Sequence, residues 1–189
     1  MSKQKVMRFN TRAAQPKFKA DQLLQTLSLK PGQTVADLGS GGGFFTLRFA
    51  RAVGETGQVY AVDTNQEFLD FIKKQAKEQG VTNIVTLLTG TEHPDLPEHA
   101  FDYVFLRNVT HHLQHRVDYF QQLKEALKPT GKLVIIEYNG KTGFFSFQRL
   151  HRHFIPQSIL LEEIKQAGYV LQKSYDFIAE QSFLIFSLQ

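Results

Sequence analysis

The stretch Val35-Ala36-Asp37-Leu38-Gly39-Ser40-Gly41-Gly42-Gly43-Phe44-Phe45 constrains the fold of this chain more than any other. A short apolar run passes through an acid and breaks into five small residues. Beyond them Phe45, Phe49 and Val53 recur at helical spacing. Strand, tight turn and helix follow from that pattern. Glycines at such a turn take backbone angles closed to other residues and let a ligand come close to the main chain. The first turn of the helix leaves N–H groups without intrahelical partners. These are the features of a nucleotide-type ligand loop.

Around the loop, strands and helices alternate. Apolar residues at helical spacing over 16–29 stop at Pro31-Gly32, ahead of a strand at Thr34–Leu38. Gln58–Asp63 reads as a second strand, again ending on an acid. Thr64 with Glu67 forms a capping box that starts a helix running to Gly80. Ile84–Leu88 is a third strand, 89–99 a loop and 101–106 a fourth strand. A stripe of Val117, Phe120, Leu123 and Leu127 predicts a helix stopped by Pro129 and Gly131. The apolar run 132–138 is then a fifth strand, central in a sheet. Residues 139–155 read as a Phe- and His-rich lid connection, Ile159, Leu160, Ile164 and Ala167 as a helix, and 169–178 and 182–188 as an antiparallel pair of strands.

Such alternation argues for an α/β fold with a mostly parallel sheet covered on both faces, and 189 residues suffice for one domain spanning 1–189. Ligands of these sheets bind beyond the carboxyl ends of the strands. Asp37, Asp63, Gly90, Arg107 and Tyr138 all fall at those ends. No apolar run is long enough to span a bilayer, the N-terminus lacks a signal-peptide core, and there is no cysteine, so a cytoplasmic protein is expected. The net charge of +4 is modest. Lys3, Lys5, Arg8, Arg12, Lys17 and Lys19 make residues 1–30 a basic, partly helical extension whose first stretch reads as a solvated tail.

The loop departs from the dinucleotide fingerprint Gly-x-Gly-x-x-Gly, because Phe44 stands where its third glycine belongs. Asp37, two residues ahead of the first glycine, would repel a pyrophosphate. It suits a ligand with positive charge and no phosphates, such as S-adenosylmethionine, which carries an ammonium and a sulfonium. Asp63 is placed to accept from both ribose hydroxyls, and Leu88-Thr89-Gly90-Thr91-Glu92 would lie against the adenine.

Asp37-x-Gly39-x-Gly41-x-Gly43, Asp63, Phe101-Asp102 and Leu127-Lys128-Pro129-x-Gly131 follow one another as in class I S-adenosylmethionine-dependent methyltransferases. The chain resembles that family over about residues 31–138. The resemblance implies a Rossmann-like three-layer sandwich whose seven-stranded, mostly parallel sheet ends on an antiparallel strand. It also implies a cofactor site of Asp37, Gly39, Ser40, Gly41, Gly43, Phe44, Asp63, Thr64, Gly90, Thr91, Glu92, Arg107 and Asn108. Thr91 stands where the family has an acid, so its hydroxyl or Glu92 would substitute. Locally, Leu106-Arg107-Asn108-Val109-Thr110 and Leu133-Val134-Ile135-Ile136-Glu137-Tyr138 look like the C-methyltransferases of ubiquinone and menaquinone biosynthesis.

Methyl transfer from a sulfonium mainly requires alignment and exclusion of water. Without cysteine there is no covalent 5-methylcytosine chemistry, and the motifs of exocyclic-amine DNA enzymes and protein arginine enzymes are missing. A small-molecule acceptor is favoured, quinone-like or anionic. The catalytic candidates are His112, as base or acceptor-orienting group, and Tyr138, which either faces the acceptor or is a half-buried strand-end tyrosine. His111 reads as a packing residue. Arg107 binds the methionine carboxylate or an acidic acceptor, or makes a surface ion pair; Asn108 hydrogen-bonds the cofactor or a loop. Zinc binding among His111, His112, His115, His151 and His153 is set aside, since structural zinc more often uses cysteine; no metal is expected. Two other readings compete: an RNA methyltransferase using the basic N-terminus, against which no strong nucleic-acid signal stands out, and a non-catalytic module that binds S-adenosylmethionine or S-adenosylhomocysteine. A dehydrogenase is the weakest reading. Oligomeric state is not legible.

Overall fold

The computed structural model describes residues 3–140 and 153–189, with residues 3–5 described through their backbone alone. Among these residues the chain forms seven strands. The chain divides into two compact units, one ending at Thr89 and the other starting at Gly90.

In the first unit, β1 (Thr34–Leu38), β2 (Gln58–Asp63) and β3 (Ile84–Leu88) pair in parallel in the order β3-β2-β1. All three have the bounds expected from their apolar runs. Helix α3 (Phe44–Val53) buries Phe45, Phe49, Ala50 and Val53, the stripe that the 3.6-residue period predicts. Helix α4 (Gln66–Glu78) packs Leu69 and Ile72 on Ala61 of β2. Its cap differs from expectation. Asn65, not Thr64, has the extended N-cap conformation, and its side chain accepts from the Glu67 N–H at 2.9 Å.

The N-terminus also departs from the solvated tail. Lys3–Ala13 is helix α1, with Val6 and Ala13 buried, Phe9 against Phe68 edge to face, and Asn10 reaching the glycine loop. Charge masked a Val6, Asn10, Ala13 spacing that suits one helical face. A single 3₁₀ turn (Pro16–Phe18) and left-handed Lys19 then lead into α2 (Ala20–Leu27), so 16–29 is two elements rather than one.

In the second unit, β4 (Phe101–Arg107) and β5 (Leu127–Tyr138) are parallel. β7 (Gln181–Leu188) is antiparallel to both β5 and β6 (Tyr169–Tyr175), giving β4-β5-β7-β6. Leu133, Val134, Ile135 and Ile136 are wholly buried, as a strand with neighbours on both sides demands. β5 starts five residues before Lys132. Gly131 is packed so closely that a methyl there would come within 2.8 Å of the Phe101 carbonyl, and the pairing shifts register beside it. Helix α5 (Arg116–Ala126) and helix α6 (Gln157–Gln166) are joined by Arg116, whose Nε and Nη2 donate to the two Glu163 oxygens at 2.8 and 2.6 Å. The sheet is thus the mostly parallel one with an antiparallel last strand that the alternation implied. Of the expected lid connection, residues 141–152, with Phe144, Phe145, Phe147, His151 and Arg152, lie outside the described residues. Among the described residues no helix is long and apolar enough to cross a membrane.

Candidate active site

In the first unit the turn after β1 is held by backbone hydrogen bonds to β2. The Gly39 and Ser40 N–H groups both donate to the Val62 carbonyl, at 2.8 and 3.1 Å. The glycines of the turn have separate reasons. Gly42 lies under the Asn10 carboxamide, which donates Nδ2 to the Gly42 carbonyl at 2.7 Å, and a methyl on Gly42 would overlap it. Gly43 has φ +76, and a methyl there would lie 2.7 Å from Ile72 Cγ1. Gly41 is different. At φ +53 it faces open space, the nearest atom to an added methyl being the Gly39 carbonyl oxygen at 4.0 Å. That bare face is where a ligand can reach the main chain.

Two acids frame this turn. Asp37 is buried and accepts from the Thr46 hydroxyl of α3 at 2.5 Å. Asp63 ends β2; its Oδ2 accepts from the Gly41 N–H at 2.8 Å and its Oδ1 from the Asn65 N–H at 3.0 Å. Burial pushes the Asp63 carboxyl above its ordinary range, while N–H donors from Gly41, Asn65 and Thr64 pull it back. A carboxylate has about four lone-pair sites, so this one can still take hydroxyl donors. Ser40 is buried, and its hydroxyl oxygen has no hydrogen-bond partner among the described residues. Phe44 lies under the Arg48 guanidinium, whose carbon stands 3.6 Å from the ring centroid. An open glycine face, an oriented carboxylate and an unsatisfied hydroxyl fit an adenosyl ligand with a ribose diol.

In the second unit, Gly90, Thr91 and Glu92 are exposed in the loop after β3. Arg107 ends β4 and Asn108 follows in the left-handed region at φ +55. The Asn108 N–H donates to the Ile136 carbonyl, and its side-chain oxygen accepts from Gln181 Nε2 at 2.6 Å. Contact with a cofactor would therefore fall to its amide nitrogen. A 3₁₀ turn (Thr110–His112) presents the histidines. Glu137 of β5 is wholly buried beneath it and accepts from the Thr110 hydroxyl, the His111 N–H at 3.2 Å, the His111 ring at 2.9 Å and the Tyr138 N–H at 2.8 Å. His111 is thus the hydrogen-bonded packing residue expected. His112 is exposed, with its ring 4.0 Å from that of His111. Partial burial of the ring, then His111 and His153, lower its pKa against a weaker opposing pull from Glu137, so it stands neutral near pH 7. Tyr138 is buried rather than half-buried, at 4% exposure.

Glu137, Thr46, Asn10 and Gln181 escaped the sequence reading. The signal for Glu137 was present: an acid at the end of an otherwise apolar strand must find donors.

A family model described as a methyltransferase domain matches residues 29–176. The chain is 33% identical over 159 residues to the ubiquinone/menaquinone biosynthesis C-methyltransferase UbiE of Haemophilus ducreyi, covering 80% of this chain and 58% of that protein. It spans about half the length of the curated relatives it matches. The crystal structure of a SAM-dependent methyltransferase from Aquifex aeolicus aligns over 100% of both chains with a TM-score of 0.89 at 21% identity. That of the trans-methyltransferase CalH in complex with SAH aligns over 84% of this chain and 52% of its own, with a TM-score of 0.71 at 18% identity. At these identities the two structures speak for the fold, and the family model for kinship. The chain belongs to the methyltransferase-domain family, the class I S-adenosylmethionine-dependent methyltransferases.

Proposed function

We propose that this chain transfers a methyl group from S-adenosylmethionine to a small-molecule acceptor that is quinol-like or anionic. The observation that carries the reading is the Gly41–Asp63 hydrogen bond beside the open Gly41 face, in a chain of this family. When bound, S-adenosylmethionine supplies a methyl already activated by a sulfonium leaving group. Asp63, steadied by Gly41 and Asn65, accepts from the ribose diol. Asp37 attracts the ammonium, and Gly39, Ser40, Gly43, Phe44 and Thr64 complete the donor side. Gly90, Thr91 and Glu92 meet the adenine; Arg107 takes a carboxylate, and Asn108 offers its amide. His112, neutral near pH 7, receives the acceptor's proton or orients its nucleophilic atom, and Tyr138 walls the acceptor side. Proximity and exclusion of water do the rest.

The acceptor class draws support from the relatives, which are named for quinone biosynthesis. Methyl-labelled S-adenosylmethionine offered with a soluble dihydroxynaphthalene tests it. Label in the ring, with equimolar S-adenosylhomocysteine, supports the proposal. Label entering bulk tRNA instead would replace it with the RNA reading.

A further inference from the structure

Three imidazoles meet at one place in the second unit. One ligand-capable nitrogen from each of His111, His112 and His153 lies within 4.8 Å of the others. The His153 ring stands 4.9 Å from that of His111 and 5.2 Å from that of His112, edge on to both. His153 reaches this place because the chain beside it is pinned to the end of β5. The Ile155 N–H donates to the Tyr138 carbonyl at 3.0 Å, and Phe154 packs on Gly140 so tightly that a methyl there would lie 2.8 Å from its ring.

Glu137 decides the chemistry of the group. Its oxygens already receive the Thr110 hydroxyl and the His111 and Tyr138 N–H groups, so it faces His111 as an acceptor and the ring donates from Nδ1. The lone pair of His111 is then on Nε2. A buried carboxylate behind an imidazole is the arrangement that orients metal-ligating histidines.

We propose that His111, His112 and His153 form a three-imidazole site for a divalent transition-metal cation of the zinc type, with Glu137 holding His111 from behind. Three neutral imidazole nitrogens suit zinc, cobalt or nickel, whereas calcium and magnesium take oxygen ligands. Zinc–nitrogen bonds of about 2.0–2.1 Å bring tetrahedral ligands to about 3.3 Å apart, so the rings must draw together on binding. His112, exposed on its turn, can make that movement. Three histidines leave a fourth position for water or an acceptor hydroxyl oxygen, and with the ion bound His112 orients the acceptor through the metal rather than taking its proton. The acceptor part of this inference rests on the methyltransferase reading; the metal site does not.

Tag-free protein stripped with a chelator and titrated with Co²⁺ tests both. The expected result is one equivalent bound with visible ligand-field bands, which Zn²⁺ abolishes. His112→Ala and His153→Ala should lose the bands, Glu137→Gln should bind 10–100-fold more weakly, and His93→Ala and His115→Ala should bind as wild type. Circular dichroism confirms folding, and exposed His112 decides the matter if Glu137→Gln fails to fold. Co²⁺ bands that survive His112→Ala and His153→Ala, or no bands at all, overturn the site. Bands unmoved by a dihydroxynaphthalene leave the metal site standing and remove the acceptor from its fourth position.

Discussion

The Gly41 N–H donates to Asp63 Oδ2 at 2.8 Å, tying the turn after β1 to the last residue of β2. The bond orients a carboxylate that burial would prefer uncharged, and so prepares it for hydroxyl donors.

Asp63→Asn should therefore weaken S-adenosylhomocysteine binding more than tenfold, since hydrogen bonds to a charged group contribute about 1.5–3 kcal/mol, with little change in the melting temperature of the free protein. The pH signs follow from the raised pKa. In the free protein, the Asp63 contribution to stability is present below the unfolded value of 3.8 and is lost as pH rises through the folded value. Ligand affinity runs the other way, falling on acidification before an ordinary carboxylate would titrate. Calorimetry across pH on wild type and Asp63→Asn should show that fall in wild type alone.

Gly42→Ala and Asn10→Ala should be non-additive. The first overlaps the Asn10 carboxamide and should cost about 1–3 kcal/mol; the second removes one hydrogen bond, costing about 1 kcal/mol. Together they should lose less than the sum, because Asn10→Ala clears the space the new methyl needs. Urea unfolding of the four proteins measures the coupling. Additivity would mean α1 does not press on the turn.

Thr46→Val removes the hydroxyl that donates to buried Asp37. The isosteric change should cost about 1.5–3 kcal/mol of stability and also weaken ligand binding, because Asp37 loses its orientation. Unchanged affinity in a folded Thr46→Val protein would separate Asp37 from the ligand.

Burial, with Asp95 nearby, pushes the Tyr119 hydroxyl up to about 12 from 10. Tyr169, which donates to the Phe120 carbonyl at 3.0 Å, is raised as well. Both groups hold their protons more firmly folded than unfolded, so their contribution to stability is complete below pH 10 and is lost above it. Tyr119→Phe should flatten the fall in urea midpoint between pH 10 and about 12.

Much of the fold was legible because its signals are local. β1 and β2 are short apolar runs closed by Gly39 and by Asp63, and β3 is a run of β-branched and leucine residues between Asn83 and Thr89. Pro129 and Gly131 look like punctuation and point to a β5 that starts at Lys132; partners on β4 extend it back to Leu127, which no local pattern shows. The same distinction divides the site. Asp37, Gly41 and Asp63 sit where strand ends put them. Glu137 meets Thr110 and His111 across 27 and 26 residues of chain, a relation that only folding creates. His153 likewise joins His111 through the pinning of Ile155 on Tyr138.

Whether the glycine turn and Asp63 hold an adenosyl methyl donor is decided by a thermal shift with S-adenosylmethionine, S-adenosylhomocysteine and NAD side by side. A ligand that binds only the folded state stabilises it by RT ln(1 + [L]/Kd) and so raises the melting temperature, more for the tighter ligand at a given concentration. Wild type should shift with the first two and not with NAD, and Asp63→Asn should lose most of that shift. A shift with NAD alone would make the loop a dinucleotide site, and an equal shift in Asp63→Asn would place the ligand away from Asp63.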